Sequence, residues 1–402
     1  MTLPIAAHTA KPFDVLIVGG GLAGLSLAVA LRNSGLSLAM IEGQAPQPLS
    51  AREWDARIYA VSPSNARFLD EIGIWRHFDI SSADARITPV QAMEISGDAH
   101  GRLDFSAYES GVSELAWIIE SSLMQNELRE TARRQGNLEL FCPARPQSLD
   151  LATPEAPARL TLDDGHTLTA RLIVAADGAD SWTRQAAGIA VDFKPYEQKG
   201  VVANFACQHP HRHTAFQWFR RDGILAWLPL PGQRFSMVWS TSHKHADELL
   251  HLPENELCQR VARAGQDRLG QITLLTRPAA FPLRLMRPPR TIAPHLALIG
   301  DAAHAIHPLS GHGINLGFQD AKVLARVLLD KPAHIDCGDA RLLRHYERAR
   351  IEEVVALQSA THALQRLFLP DASPLAWLRN TGLNLTNALL PLKAGLVRYA
   401  LG

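Results

Sequence analysis

Three glycines near the start of the chain, Gly19, Gly21 and Gly24, have the spacing of a phosphate-binding turn. A turn without side chains lets a pyrophosphate come close to the backbone. A helix beginning at the same place offers that anion its free N–H groups and the positive end of its dipole. Leu22 and Ala23 lie between the last two glycines, and Glu42 closes the next apolar run, where its carboxylate can accept hydrogen bonds from a ribose. The glycine spacing alone is a weak sign. The strand pattern before it, the helical pattern after it and the acid at the next strand end favour a dinucleotide site over a glycine-rich surface turn. None of this separates NAD from FAD.

A second cluster follows the apolar run that begins at His295: Gly300-Asp301, then His304, His307, Pro308, Gly311, His312, Gly313, Ile314, Asn315 and Gly317. Asp301 sits at the C-terminal end of a strand, where ligands of open α/β sheets collect, and it can accept bonds from hydroxyl groups. The glycines allow the backbone to approach a flat ring, and a helix starting near Ile314 would aim its positive end at that ring. The competing reading of Gly300-Asp301 is a strand end with a helix cap. For His304 and His307 a hydrogen-bonded structural role is the favoured reading, although either could titrate near neutrality. Asp177-Gly178 with Arg184, and Asp55-Ala-Arg57, are weaker candidates whose plain alternatives are a β-turn and a surface arginine.

Taken together, Ala175-Ala-Asp-Gly-Ala-Asp-Ser-Trp-Thr-Arg184 and Leu298-Ile-Gly-Asp-Ala-Ala-His…His-Pro-Leu-Ser-Gly-His-Gly-Ile-Asn-Leu-Gly317 resemble two motifs of the flavoprotein aromatic monooxygenases of the p-hydroxybenzoate hydroxylase fold. With Asp55-Ala-Arg57 and the C-terminal Arg379-Asn-Thr-Gly-Leu-Asn-Leu385, the resemblance extends over nearly the whole chain and is closest to the FAD-dependent hydroxylases of ubiquinone biosynthesis. It implies one non-covalent FAD. Asp301 would bind the ribityl chain, and the Gly311 to Asn315 backbone and the Pro308 carbonyl would lie near the flavin ring and the reacting oxygen. Arg57 would stand near the FAD phosphates and the active site, while Asp177, Gly178 and Arg184 would act indirectly on FAD pyrophosphate and NAD(P)H. Where the family usually has Gln between two glycines this chain has His312, which would introduce a titratable donor.

The same resemblance implies a reaction: FAD is reduced by a transiently bound NAD(P)H, O2 adds to give a flavin C4a-hydroperoxide, and oxygen passes to the ring of a polyprenylated phenol or quinol precursor. Other ubiquinone-biosynthesis proteins are the implied partners. Two readings from other classes stay open at this point, a flavin dehydrogenase or reductase acting on a prenylated substrate, and a non-catalytic FAD-bearing scaffold.

The elements that must position these residues follow from periodicity. Asp14 to Val18 reads as a strand, Leu22 to Arg32 as a helix and Leu36 to Ile41 as a second strand, which completes a βαβ unit. Helices are expected at Ser64 to Ile72, Ile118 to Gln135, Glu254 to Ala264, Gly313 to Leu329, Ala340 to Phe368 and Leu375 to Leu401. A hairpin from Leu160 to Leu168 precedes the strand Arg171 to Ala176. Between Val201 and Arg284 the β-branched and aromatic runs Val201 to Cys207, Thr214 to Phe219, Ile224 to Leu228, Phe235 to Trp239 and Ile272 to Pro282 predict an antiparallel sheet. The fold class is therefore α/β, α+β overall: a Rossmann-like FAD-binding domain from 1–80, 115–190 and 285–335, an interleaved antiparallel-sheet substrate domain from 81–114 and 191–284, and a C-terminal helical segment, 336–402.

The chain has 402 residues, 47% hydrophobic and 20% charged, an ordinary globular balance with ample core for two domains. Lys plus Arg and Asp plus Glu are both 40, so no net field draws it to nucleic acid. The four cysteines are far apart and fit neither a zinc spacing nor a disulfide framework, so reduced thiols and no metal are expected. Met1 to Pro12 lacks the pattern of a signal peptide, and no apolar run reaches the ~18–20 residues of a membrane span. A cytoplasmic location follows as the expectation. Two fates are open to the apolar C-terminal end: packing on the cofactor domain, or a peripheral membrane contact in which Arg379, Lys393 and Arg398 meet lipid phosphates.

Overall fold

A computed structural model describes residues 11–46, 53–78, 85–151, 153, 156–191, 193–306, 313–368, 373–388 and 393. Its first sheet is built on the strand β1 (Phe13–Val18), whose Val15, Leu16 and Ile17 are completely buried. Runs buried on both faces are what parallel strands covered by helices require. β1 lies between β2 (Leu38–Ile41) and β11 (Thr167–Ala175), parallel to both, and β8 (Leu138–Phe141) and β19 (Leu296–Leu298) extend the parallel set on either side. β18 (Ile292–Ala293) edges it, β10 (Ala158–Leu162) runs antiparallel to β11, and β9 (Pro146–Asp150) antiparallel to β10. The expected hairpin is thus present, with Leu160 opposite Leu168.

α1 (Leu22–Ala30), α3 (Ser121–Arg133) and α7 (Gly313–Leu329) bury one face of this sheet, with Leu25, Leu27, Leu128 and Phe318 in a shared core. α2 (Pro63–Glu71) joins that core through Phe68 and Leu69, and α4 (Trp182–Ala186) follows the Asp177-Gly178 turn. α8 (Ala340–Phe368) brings Leu343 and Tyr346 to the same core, and the Tyr346 hydroxyl donates to the Leu298 carbonyl at 2.7 Å.

The second sheet has the strand order β16 (Ile272–Leu274), β12 (Phe193–Cys207), β15 (Arg234–Ser242), β14 (Gly223–Leu230), β13 (Thr214–Arg220), β5 (Ala92–Ser96), β6 (Arg102–Ser106), with β17 (Ala279–Met286) also on β12. Alternation sorts its faces. Phe205, Phe216, Trp227, Met237 and Trp239 point to a core closed by α5 (His243–His251) and α6 (Glu254–Ala264), while the opposite face carries smaller residues. A small third sheet of β3 (Ile58–Val61), β7 (Ala116–Glu120) and β4 (Ile87–Val90) bridges the two.

Three expectations need correction. The helix expected from Ile118 begins at Ser121, because Trp117, Ile118 and Ile119 form the central strand of the third sheet, paired with both β3 and β4. The run Ile272 to Pro282 is two strands, each paired with a different stretch of β12. α5 has no counterpart in the periodicity reading, its His-Lys-His start being a poor helix signal; the Ser242 hydroxyl caps it by accepting from the His245 N–H.

At the C-terminal end, α9 (Ser373–Ala388) packs on the edge strand β6 of the second sheet, not on the cofactor sheet. The Asn380, Asn384 and Asn387 side chains accept from the backbone N–H groups of Gly101, Arg102 and Asp104, at 2.9, 2.8 and 3.1 Å, so the helix satisfies an edge that would otherwise be open. Leu383 packs beside Ile95 and Leu103, and Leu385 is exposed. Lys393 is buried against Glu109 at 3.1 Å, which removes it from the set expected to meet lipid. The Arg379 side chain, Leu389 to Leu392 and all residues beyond Lys393, Arg398 among them, lie outside the described set. Among the described residues no helix is long and apolar enough to cross a membrane.

Candidate active site

The three sheets line a shared, partly open cavity of about 1450 Å³. Single ligands usually occupy ~300–1,000 Å³, so this volume has room for a dinucleotide and a second molecule. Thirteen sequence-derived candidates line it: Gly19, Gly21, Leu22, Ala23, Glu42, Arg57, Asp177, Gly178, Gly300, Asp301, Gly313, Ile314 and Asn315.

The glycine turn is built as its spacing requires. A Cβ on Gly24 would lie 2.1 Å from the Gly19 carbonyl oxygen, so Gly24 is needed for the helix to pack on the strand and does not line the cavity. Gly19 has φ +109, and a Cβ there would meet the Ala176 carbonyl at 2.4 Å. Gly21 has nothing within 4 Å and is open to the cavity. It caps α1 in an extended conformation with no side-chain cap bond and no acid in the first turn, which leaves the first N–H groups of the helix to a ligand. Glu42 accepts the Gly20 N–H and the Gln44 N–H at 2.7 Å each, and each carboxylate oxygen keeps a lone pair free.

Asp177 and Asp301 approach from the two neighbouring strand ends. The Asp177 carboxylate accepts from the Thr183 N–H and hydroxyl at 2.9 Å, fixing the start of α4. Asp301 presents its carboxylate to the cavity, so the surface it exposes is cavity wall. Burial pushes its carboxyl up from the usual aspartate value, with His304 and Arg57 pulling back. Tyr59, on β3 just after Arg57, also lines the cavity, and burial raises its hydroxyl. Its one sequence signal is its place just after the Asp55-Ala-Arg57 stretch.

Two candidates hold the walls. Arg184 is completely buried and donates to the carbonyls of Ala302 at 3.0 Å and Ala179 at 2.9 Å, joining the Asp177 and Asp301 loops from behind. The Asn315 amide oxygen accepts from the Ser62 N–H at 2.9 Å and its amide nitrogen donates to the Ala60 carbonyl at 2.8 Å, locking α7 to the turn after β3. Asp55 works similarly: its carboxylate accepts the Arg57 and Ser122 N–H groups, and its carbonyl takes a bond from Asn204 of the second sheet.

Beneath Asp301 lies a charged cluster the sequence reading did not contain. Asp320 of α7, completely buried, accepts from the Gly300 N–H at 2.9 Å, His304 Nε2 at 2.6 Å and Arg350 Nε at 2.7 Å. Burial alone would raise its carboxyl, but His304 and Arg350 outweigh that and hold it below the usual range. His304 is thus a structural partner. His307, Pro308, Gly311 and His312 lie outside the described residues. The cysteines are free thiols, with Cys207 and Cys337 pushed up by burial to about 11, and the described residues contain no group of three or more metal-ligating side chains.

At its other end the cavity is walled by the smaller face of the second sheet, Val202, Ala215, Gln217, Ala226, Leu228 and Val238, with Met93 and Phe105 from β5 and β6. The polar cradle and this apolar floor belong to one enclosure.

Residues 12–360 match the family model described as an FAD binding domain. The chain is similar to the ubiquinone hydroxylase UbiL of Rhodospirillum rubrum, 33% identical over 402 residues, covering 100% of this chain and 92% of that one. It is 31% identical to the 3-demethoxyubiquinol 3-hydroxylase of Escherichia coli, covering 98% and 100%. In fold it resembles a probable FAD-dependent monooxygenase from Pseudomonas aeruginosa, with a TM-score of 0.77 at 23% identity over 94% of this chain and 100% of that one. Cradle, fold and full-length similarity agree, and the chain belongs to the FAD-binding-domain family of flavoprotein monooxygenases that includes these ubiquinone hydroxylases.

Proposed function

We propose that this chain is an FAD-dependent monooxygenase that places a hydroxyl group on the aromatic ring of a polyprenylated phenol or quinol in ubiquinone biosynthesis, with NAD(P)H as transient reductant and O2 as oxygen source. The observation that carries it is the single cavity, with a nucleotide cradle at one end and an apolar sheet floor at the other. Bound FAD supplies the redox and oxygen chemistry that no side chain here can perform.

The chain's own residues fit that group. The bare α1 N-terminus at Gly21 to Ala23 takes the pyrophosphate, Glu42 a ribose and Asp301 the ribityl hydroxyls, while Gly313 and Ile314 bring the α7 N-terminus to the ring. Asp177 and Arg184 keep the intervening loops in register. The sheet floor holds the aromatic substrate and excludes water from the reacting end. The cofactor work falls to 1–80, 115–190 and 285–335 and the substrate work to 81–114 and 191–284; within the C-terminal segment 336–402, α8 packs on the cofactor core and α9 on the edge of the second sheet.

A prenylated substrate lives in a bilayer, so we further assign a peripheral membrane contact to the C-terminal end, where Leu385 is exposed. Vesicle sedimentation of the full chain tests it: Leu385→Asp should reduce the bound fraction, and an unchanged fraction removes α9 from the contact.

The activity is tested by profiling quinone intermediates in a strain lacking the gene. A prenylated ring short of one hydroxyl should accumulate. Accumulation of a precursor with an unreduced side chain would instead point to a reductase.

A further inference from the structure

The floor of the cavity carries one polar group without a protein partner. Of the six cavity-facing side chains contributed by β12, β13, β14 and β15, five are apolar: Val202, Ala215, Ala226, Leu228 and Val238. The sixth is Gln217. It stands on β13 opposite Ala226 of β14 on one side and Ile95 of β5 on the other, and its strand neighbours Phe216 and Trp218 point away into the core. Gln217 is only 6% exposed. Its backbone is held in the ladder, but its side-chain amide makes no hydrogen bond to any described residue, and it is not sealed off from the cavity.

A buried amide without a partner is costly in a folded protein, so a ligand in the cavity is the natural source of one. The neighbouring alanines leave room for a flat ring to lie against the sheet, and the apolar side chains around it offer that ring no competing polar contact. An amide carries no charge and both donates and accepts, which suits an uncharged oxygen: a phenol hydroxyl, which keeps its proton at neutral pH, or a methoxy group. A carboxylate would call for a cation in this position, and none of the six floor side chains carries a charge.

We propose that Gln217 is the specificity-determining residue of the substrate arm, hydrogen-bonding an uncharged oxygen on the substrate ring and thereby fixing which edge of the ring meets the reacting end. This inference rests on the ring-hydroxylase reading above and deepens it.

The test uses the FAD-loaded full chain and two small probes, 2-prenylphenol and prenylbenzene, which differ only by the ring oxygen. Binding is followed by the change each causes in flavin absorbance. Wild-type protein should favour the phenol by roughly tenfold, the scale of one buried hydrogen bond. Gln217→Met, which keeps the length and loses the amide, should bind both within about twofold of each other with unchanged FAD affinity. Gln217→Asn should restore part of the preference. A tenfold preference that persists in Gln217→Met overturns the assignment while leaving the hydroxylase reading intact, as does a wild type that binds both probes equally. A wild type that binds neither probe and hydroxylates no prenylphenol removes both.

Discussion

The two ends of the cavity are built by opposite means. At the nucleotide end the ligand-facing surface is backbone, and the side chains near it are mostly engaged: Glu42 with Gly20 and Gln44, Asp177 with Thr183, Arg184 with two carbonyls. At the sheet end the ligand-facing surface is side chain, small and apolar, and the one amide on the floor has no protein partner. A cofactor that is the same in every turnover is met by a rigid frame with little to rearrange. A substrate that must enter, be oriented and leave is met by a smooth floor and few directional contacts.

The comparison predicts that damage to the buried frame behind the nucleotide end spreads through the fold, while damage to a group that faces the ligand, at either end, stays local. The largest effect is expected at Asp320, whose carboxylate pairs with Arg350 and accepts a hydrogen bond from His304 in a fully buried cluster. Removing one partner of such a cluster leaves uncompensated charge, so Asp320→Asn should lower urea-unfolding stability by about 3–5 kcal/mol. Because the Asp320 carboxyl is held below its ordinary value, the stability it lends is present above the usual aspartate range and lost as pH falls through the depressed value. The variant should therefore lose that acid limb. An unfolding midpoint within error of wild type at neutral pH would show the cluster to be inert.

Next in size is Asp301→Ala, which should lose FAD on gel filtration yet remain folded. Burial raises the Asp301 carboxyl, so its charged form costs stability in the FAD-free protein at neutral pH, and its removal should leave that protein at least as stable. In wild type, FAD affinity should fall as pH is lowered, starting above the ordinary aspartate range, because protonation removes the charged acceptor. Full FAD occupancy in the variant would move the ribityl contact elsewhere.

The smallest effect on cofactor and fold is expected from Ala226→Leu on the sheet floor. Filling that space should raise KM for a prenylated phenol about tenfold while FAD affinity changes less than about twofold. If FAD is lost as well, the two ends are not independent.

The same contrast explains what was legible in the sequence. Phosphate binding needs glycines and a helix start within a few contiguous residues, so Gly19 to Gly24, Glu42 and Gly300-Asp301 could be read directly, and of these Gly19, Gly21, Leu22, Ala23, Glu42, Gly300 and Asp301 do line the cavity. The sheet floor draws single residues from separate strands, and nothing in Ala226 or Gln217 alone marks them until the register aligns them. Arg184 and Asn315 were found for their motif, yet both bond protein, because a motif marks a place in the frame without saying which side chains face the ligand. The Asp320 cluster was hidden for a similar reason: α7 and α8 bring together residues that carry no local signal. Ile118 was misread because a strand that runs straight into a helix has no breaker between them.

The central claim is that cofactor and ring share one dry enclosure in which an oxygen atom passes from O2 to the substrate. It is tested most directly by single-turnover reaction of the FAD-loaded protein with NAD(P)H and a prenylated phenol under oxygen-18 gas. The account predicts one labelled oxygen in the ring of the product. A product formed without label, or release of all the oxygen as peroxide with the ring unchanged, would contradict it.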